Sequence, residues 1–568
     1  MSYNVDNKKG GIMITIPKYV KDYYFLNSFI KFPNCKRLPL LMEGRTVTYQ
    51  MYSDFNDMMN QEKIAYNASN PAMLYVAFNR HLKEDGYRLE IKKNKKIYIE
   101  ASNRRGIRYA IDLLAKFVTI IDNDVYLPII RVDDEPSFKN RGIIEGFFGE
   151  PWSHEERLDE IDLMNRFRLN TFIYAPKDDE FHRKLWRIPY PQKEINQIFE
   201  LKTKCSLFDI DFYYCISPGN DFDYNDENDF RLLFDKLDQV IAGGVKYFGI
   251  LMDDIDYKLN DKNKLRFERP GIAHAYICNR VNEYLKKHII DHRLIMCPTE
   301  YHQNKDGKYR HDLATKLDPN IAIFFTGDNV CAEVMIDDVI KKVQQDFNHP
   351  IYIWENHPVN DFLSNRLFTG PIANRSRNLP KYVDAYITNP MNQWLASRPG
   401  IISCAYYAWN AEGYRPMDAY MDSLDEFHDL MPNIKIFFDA NRATVIEHYD
   451  NYRWQIAVEK EEYEFILSYY DSLSSASKNL LNQSHPLILE IKPWLERAID
   501  EAVIIKEILN QTITHERLIA FLSNPIRLGI ECIDYIIKKQ NLLTFDEYYE
   551  KVIKPRGNLW WRVWEDER

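Results

Sequence analysis

The sequence predicts an α/β chain with a (β/α)8 TIM barrel at its centre, a small α+β domain before it and a helical domain after it. Three observations predict this. Eight short apolar runs lie over about 290 residues with helical stretches between most of them. Polar or aromatic residues follow each run, and beyond about residue 425 the apolar positions change to three-and-four spacing. Runs of four to six residues are too short for buried helices and suit strands covered on both faces.

In chain order, residues 1–138 alternate short strands with helices. Runs 89–91 and 97–99 read as strands around the basic turn KKNKK, which a solvated hairpin tip explains better than a binding patch, and 104–117 has amphipathic helical spacing. The segment VDDEPSF, 132–138, reads as a linker. The barrel is expected across 139–425, with strands at 142–147, 171–174, 212–217, 248–252, 294–297, 321–325, 351–354 and 385–388. Its first helix opens on Ser153 and Glu156, spaced as a capping box. Residues 426–568 read as the helical domain, with amphipathic stretches at 461–473 and 487–509. Tyr and Trp there, including Trp560, Trp561 and Trp564, are assigned to core packing in preference to a ligand groove.

Composition bounds the function. The chain of 568 residues is 45% hydrophobic and 14% aromatic, enough for several cores and rich in rings that stack on sugars. A net charge of −10 argues against nucleic acid as the main partner. The cysteines show no C-x-x-C and no zinc spacing with His, so neither a metal nor a cofactor is expected. With no signal-peptide pattern and no apolar run of membrane length, the expectation is a cytoplasmic protein with no membrane partner; nothing specifies an oligomeric state.

The stretch KYFGILMDDID, 246–256, carries the sharpest chemical signal. Its apolar run empties into Asp253 and Asp254, where a barrel presents residues to its ligand. An Asp pair there also serves turns and helix caps, so the other strand ends matter. They read EGFFGEPW, YAPKDD, SPG, PTEY, TGD, WEN and NP: donors, acceptors and stacking rings in register at one rim. Adjacent carboxylates have Cα atoms only ~3.8 Å apart, too close to straddle a sugar ring as the usual retaining or inverting pair does. They suit substrate-assisted hydrolysis, in which the sugar's own 2-acetamido oxygen attacks, one carboxylate holds the amide and the other acid serves the leaving oxygen.

The segments RGIIEGFFGEPWSHEERL, NTFIYAPKDDEFHRKLWRIPYP, FGILMDDI, CPTEY, TGDNV, WEN with Asp361 following, and TNPMN resemble glycoside hydrolase family 84, the O-GlcNAcase and bacterial β-N-acetylglucosaminidase family. The resemblance runs in order through the barrel and extends to residues 1–138. It implies a retaining exo-β-N-acetylglucosaminidase working through an oxazoline, with a GlcNAc-bearing glycan or glycoprotein as substrate. Asp253 would orient the acetamido group, and Asp254 would be general acid and then general base. Gly146, Lys177, Asn356, Asp361 and Asn389 would hold ring hydroxyls, Tyr301 the acetamido oxygen, and Thr326, Val330 and Trp354 the acetamido pocket. Two departures stand out: Phe148 where the family commonly has Tyr, and Asn392-Gln393-Trp394 where an acidic residue is more usual. Protein O-GlcNAc, cell-wall polymers and hyaluronan-type glycans all present the same terminal sugar. A non-catalytic GlcNAc-binding protein is the rival from another class.

Overall fold

The structure, a computed structural model, describes residues 2–3, 14–42, 63–66, 70–256, 258–303, 307–447 and 450–555. They fall into two compact units. The first comprises residues 1–141, 207–209 and 406–415, and the second comprises 142–206, 210–405 and 416–568.

The first unit is built on a mixed sheet. Its strands run Asp22–Phe32, Asp124–Asp134, Tyr87–Lys92, Lys96–Ala101, Ala72–Phe78, Leu38–Met42 and Ile64–Tyr66, with Thr119–Ile121 added against Asp124–Asp134. Alternation sends Leu89, Ile91, Ile97 and Ile99 to one face, where the helix Arg104–Phe117 lays Ile107, Ala110, Ile111 and Leu114. Asn103 starts that helix by accepting the Gly106 N–H at 2.9 Å. Around KKNKK the two strands pair as a hairpin with Lys92 opposite Lys96, and Lys93 and Asn94 are exposed at its tip. The expected linker is different. Val132–Asp134 closes a strand paired on both sides, and the Asp134 carboxylate accepts from the Tyr87 hydroxyl at 2.9 Å and the Trp409 indole at 3.1 Å. Its charges mimic a loop because charge density in a sequence does not reveal buried partners.

A closed parallel barrel, which from Gly142 onward belongs to the second unit, has the strands β1 Asn140–Glu145, β2 Thr171–Tyr174, β3 Asp211–Ile216, β4 Tyr247–Leu251, β5 Arg293–Cys297, β6 Ala322–Phe325, β7 Ile351–Glu355 and β8 Ala385–Thr388. Ile144, Ile173, Leu251, Ile295, Phe324 and Ile387 fill its interior. Several expected strands stop short. Phe147, Ser217 and Met252 are buried but lie past the last strand residue, because apolar burial continues where the chain turns to form the rim. After β1, Ser153 and Glu156 form the expected capping box of helix His154–Arg166. The helices Tyr463–Leu481 and Pro486–Leu509 share one core with Leu367, Phe368, Met391 and Leu395 from the segments after β7 and β8. Trp454 and Trp494 are buried in it, whereas Trp560, Trp561 and Trp564 lie outside the described residues. No helix among the described residues is long and apolar enough to cross a membrane.

Candidate active site

The site forms where β4 ends. Beyond Leu251 the Met252 N–H reaches the Cys297 carbonyl at 2.8 Å, and the Thr299 hydroxyl donates to the Met252 carbonyl at 2.6 Å. The chain is thus tied to β5 up to Met252, and then the two aspartates separate. Asp253 is 4% exposed, whereas Asp254 is exposed and takes the left-handed conformation, φ 51°. Asp tolerates that region better than most residues, and the reversal sends consecutive side chains to different environments.

Each aspartate is held from another strand end. The Asp253 Oδ2 pairs with Lys177 Nζ from the loop after β2, and both groups are buried. The second oxygen, Oδ1, is also buried and finds no donor among the described residues. A buried acceptor left open in this way is costly unless something fills it. The Asp254 Oδ1 accepts from the Tyr301 hydroxyl at 3.0 Å. Burial, with Asp254 close by, pushes the Tyr301 phenol well above its usual range, so it remains a neutral donor.

The acids next to Lys177 are otherwise engaged. Asp178 accepts the Gly149 N–H at 2.7 Å, while Asp179 accepts from the hydroxyls of Tyr174 and Tyr190 at 2.9 and 2.8 Å. They fix the loop and leave the ammonium to Asp253. Gly149 sits at φ 101°, a conformation suited to glycine.

A chain of amides links four more strand ends. The Gly146 N–H donates to Asn389 Oδ1 at 3.2 Å, Asn389 Nδ2 to Asn356 Oδ1 at 3.0 Å, and Asn356 Nδ2 to the Val330 carbonyl at 2.7 Å. Asp361 accepts the Phe148 N–H at 2.9 Å; burial and the nearby Asp254 raise its carboxyl above the usual range. Trp354 is buried, and its ring closes on Gly146 so tightly that a Cβ there would meet Cζ2 at 2.4 Å. Thr326 is buried with its hydroxyl on the Asn329 carbonyl at 2.9 Å, and Val330 is half exposed beside it. Asp253, Asp254 and the candidate sugar-binding residues therefore all lie at one rim, the C-terminal end of the barrel.

Sequence reading missed the supports. Glu145 is buried in a fork with Arg157 at 2.7 and 2.8 Å, and Glu355 in another with Arg375 at the same distances. These acids stand inside EGFFG and WEN yet point to arginines and anchor the loops. A Glu with a distant Arg partner leaves no local signal. Arg183, which donates to the Asp254 carbonyl at 2.9 Å, was missed for the same reason. Among the described residues no three His, Cys, Asp or Glu side chains gather as a metal ion needs.

At this rim the buried carboxylate of Asp253, held by a buried ammonium, lies next to the exposed carboxylate of Asp254, and a chain of amides links the neighbouring strand ends. Residues 141–439, more than half of the chain, match the family model described as beta-N-acetylglucosaminidase. The chain belongs to that family, glycoside hydrolase family 84. Among curated relatives, the Protein O-GlcNAcase of Mus musculus and that of Rattus norvegicus are each 33% identical over 291 residues, 50% of this chain and 31% of theirs. The matched part thus spans about a third of the length of those relatives. Among solved structures of the family's fold, CpGH84B has a TM-score of 0.77 at 24% identity, covering 93% of this chain and 100% of that one. The O-GlcNAc hydrolase of Thermobaculum terrenum, solved as a mutant, has a TM-score of 0.65 at 27% identity, covering 75% of this chain and 98% of that one.

Proposed function

We propose that the protein is a retaining exo-β-N-acetylglucosaminidase that releases terminal β-linked GlcNAc by substrate-assisted catalysis. The single observation that carries this reading is the split between the two aspartates. Asp253 is buried, fixed by Lys177 and keeps one acceptor oxygen open, which suits an acetamido N–H. Asp254 is exposed at the rim, where a leaving oxygen departs into solvent.

In this mechanism the acetamido carbonyl oxygen attacks the anomeric carbon while Asp253 accepts from the N–H. The glycosidic bond breaks as Asp254 gives its proton to the leaving oxygen, and an oxazoline forms. Asp254, now a carboxylate, takes a proton from water as that water opens the oxazoline, and the anomeric configuration is retained. Lys177, Asn356, Asp361, Asn389 and the Gly146 backbone are proposed to hold the ring hydroxyls, since amides and carboxylates donate and accept where hydroxyls require it. Tyr301 is proposed to turn its hydroxyl from Asp254 to the acetamido oxygen when sugar binds. Thr326, Val330 and Trp354 wall the acetamido methyl group. The name of the curated relatives, Protein O-GlcNAcase, supports a protein that carries O-GlcNAc as the natural substrate.

The reading is tested with aryl β-N-acetylglucosaminides. Asp254→Asn should slow poor leaving groups far more than good ones, because good ones depart with little protonation. Asp253→Asn should slow both and lose the sensitivity of the rate to fluorination of the N-acetyl group. A stable thiazoline mimic of the oxazoline should bind much more tightly than GlcNAc. No aryl release, with thiazoline bound no better than GlcNAc, would instead indicate a GlcNAc-binding protein. A panel of O-GlcNAc peptides, cell-wall fragments and hyaluronan fragments then assigns the aglycone.

A further inference from the structure

Arg183 lies in the loop after β2 and makes two contacts that together point at the leaving-group side of the site. One N–H of its guanidinium donates to the backbone carbonyl of Asp254 at 2.9 Å, and the guanidinium carbon sits 5.5 Å from the centroid of the Phe148 ring. Its side chain is half buried and its Nε is enclosed, yet among the described residues it pairs with no carboxylate. An arginine held in this way does not serve as a surface salt bridge. Its one strong donor contact goes to the residue whose φ is 51°, a conformation that few L-residues adopt. The Asp254 carbonyl lies beyond the last residue of β4, so the ladder between barrel strands gives it no donor. Arg183 supplies one.

We propose that Arg183 is a positioning residue for the general acid: it holds the backbone of Asp254 in the left-handed turn that carries the carboxyl to the leaving oxygen, and Phe148 holds Arg183. The inference rests on the reading of Asp254 as the acid. Tyr301 fixes the Asp254 side chain from the β5 side, and Arg183 fixes its main chain from the β2 side. Phe148, at 41% exposure, gives the guanidinium a flat aromatic face, and Lys177 Nζ lies 5.7 Å from the same ring. The Phe148 ring thus serves here as a support for a planar cation.

The test compares kcat/KM for a 2,4-dinitrophenyl and a 4-methoxyphenyl β-N-acetylglucosaminide, a good and a poor leaving group. Well-placed general acids contribute about 10²–10⁴-fold, so a misplaced one should lose part of that. Arg183→Ala should shift the ratio between the two substrates about 10- to 100-fold against the poor leaving group. Arg183→Lys keeps a charge and a donor but loses the planar stack, and should fall between wild type and Ala. In an Asp254→Asn background Arg183→Ala should shift the ratio no further, because both act through one group. If Ala does not fold, Arg183→Lys carries the same comparison. A ratio unchanged by either Arg183 variant, or one that shifts again in the Asp254→Asn background, overturns the positioning role. A ratio unmoved by Asp254→Asn alone overturns the acid assignment instead, which separates the two failures.

Discussion

Gly146→Ala is the smallest change that should disturb the proposed sugar pocket without touching a polar group. The added methyl would meet Trp354 Cζ2 at 2.4 Å and Cη2 at 2.9 Å, where carbon atoms normally rest about 3.5–4.0 Å apart. The indole must therefore retreat by roughly 1 Å. It has little room, since it is 5% exposed and packs edge-on against Phe324 at 5.2 Å. Gly146 does not have a positive φ, so alanine brings no backbone penalty and the effect is steric, chiefly against Trp354 with a lesser contact to Ile144 Cγ1 at 3.3 Å. Overpacking of this kind costs about 1–3 kcal/mol of stability. A displacement of about 1 Å in a pocket wall can cost up to about 100-fold in rate. We expect kcat/KM for an aryl β-N-acetylglucosaminide to fall about 10- to 100-fold, with thiazoline affinity falling in parallel. Trp354→Phe removes the outer ring that carries the clash, so the double variant should be no slower than Trp354→Phe alone. A Gly146→Ala enzyme within about twofold of wild type in both rate and thiazoline affinity would refute Trp354 as the wall of that pocket.

Two further predictions test other parts of the molecule. Phe148→Tyr should raise kcat/KM by up to about 100-fold, or shift its pH profile, without loss of stability, because the half-exposed ring can carry a hydroxyl that stays hydrated and one bond to developing charge is worth ~1.5–3 kcal/mol. A variant that is destabilised and no faster at any pH would show that no partner awaits the hydroxyl. Glu160, fully buried in helix His154–Arg166 and facing Arg398 at 3.2 Å, has its carboxyl pushed up to about 7 by burial, with Asp159 adding to the rise. The folded state therefore holds this proton more tightly than the unfolded state, and stability present below about pH 4.5 is lost as pH climbs towards 7. Urea unfolding should accordingly show Glu160→Gln gaining about 1–3 kcal/mol on wild type between pH 5 and pH 8. An equal difference at both pH values, or one of opposite sign, would refute the linkage.

Much of the architecture was legible because burial on both faces leaves a one-dimensional trace. Thr171–Tyr174 and Ala385–Thr388 are continuous apolar or β-branched runs, and they fall where the sequence puts them. Arg104–Phe117 shows its helical period and Ser153 its capping partner three residues on, both local patterns. The misread segment, 132–138, failed because Asp133 and Asp134 look like loop residues until their partners are known. Asp134 meets Trp409, which is 275 positions away.

For the site, residue order alone established which residue types stand at the strand ends. The run through Met252 into Asp253 and Asp254, with the motifs around Lys177, Tyr301, Asn356 and Asn389, was enough to bring a resemblance to one family of glycosidases. It did not determine which acid is buried and which exposed, because that depends on the left-handed turn at Asp254 and on the ammonium that reaches Asp253 from 76 residues away. Nor did it separate Lys177 from the two acids beside it in the chain, which bond to Gly149 and to tyrosines instead. Arg183 left no sequence signal at all. Contacts of this kind join loops from different strands, and only closure of the barrel brings those loops within hydrogen-bonding reach of one another.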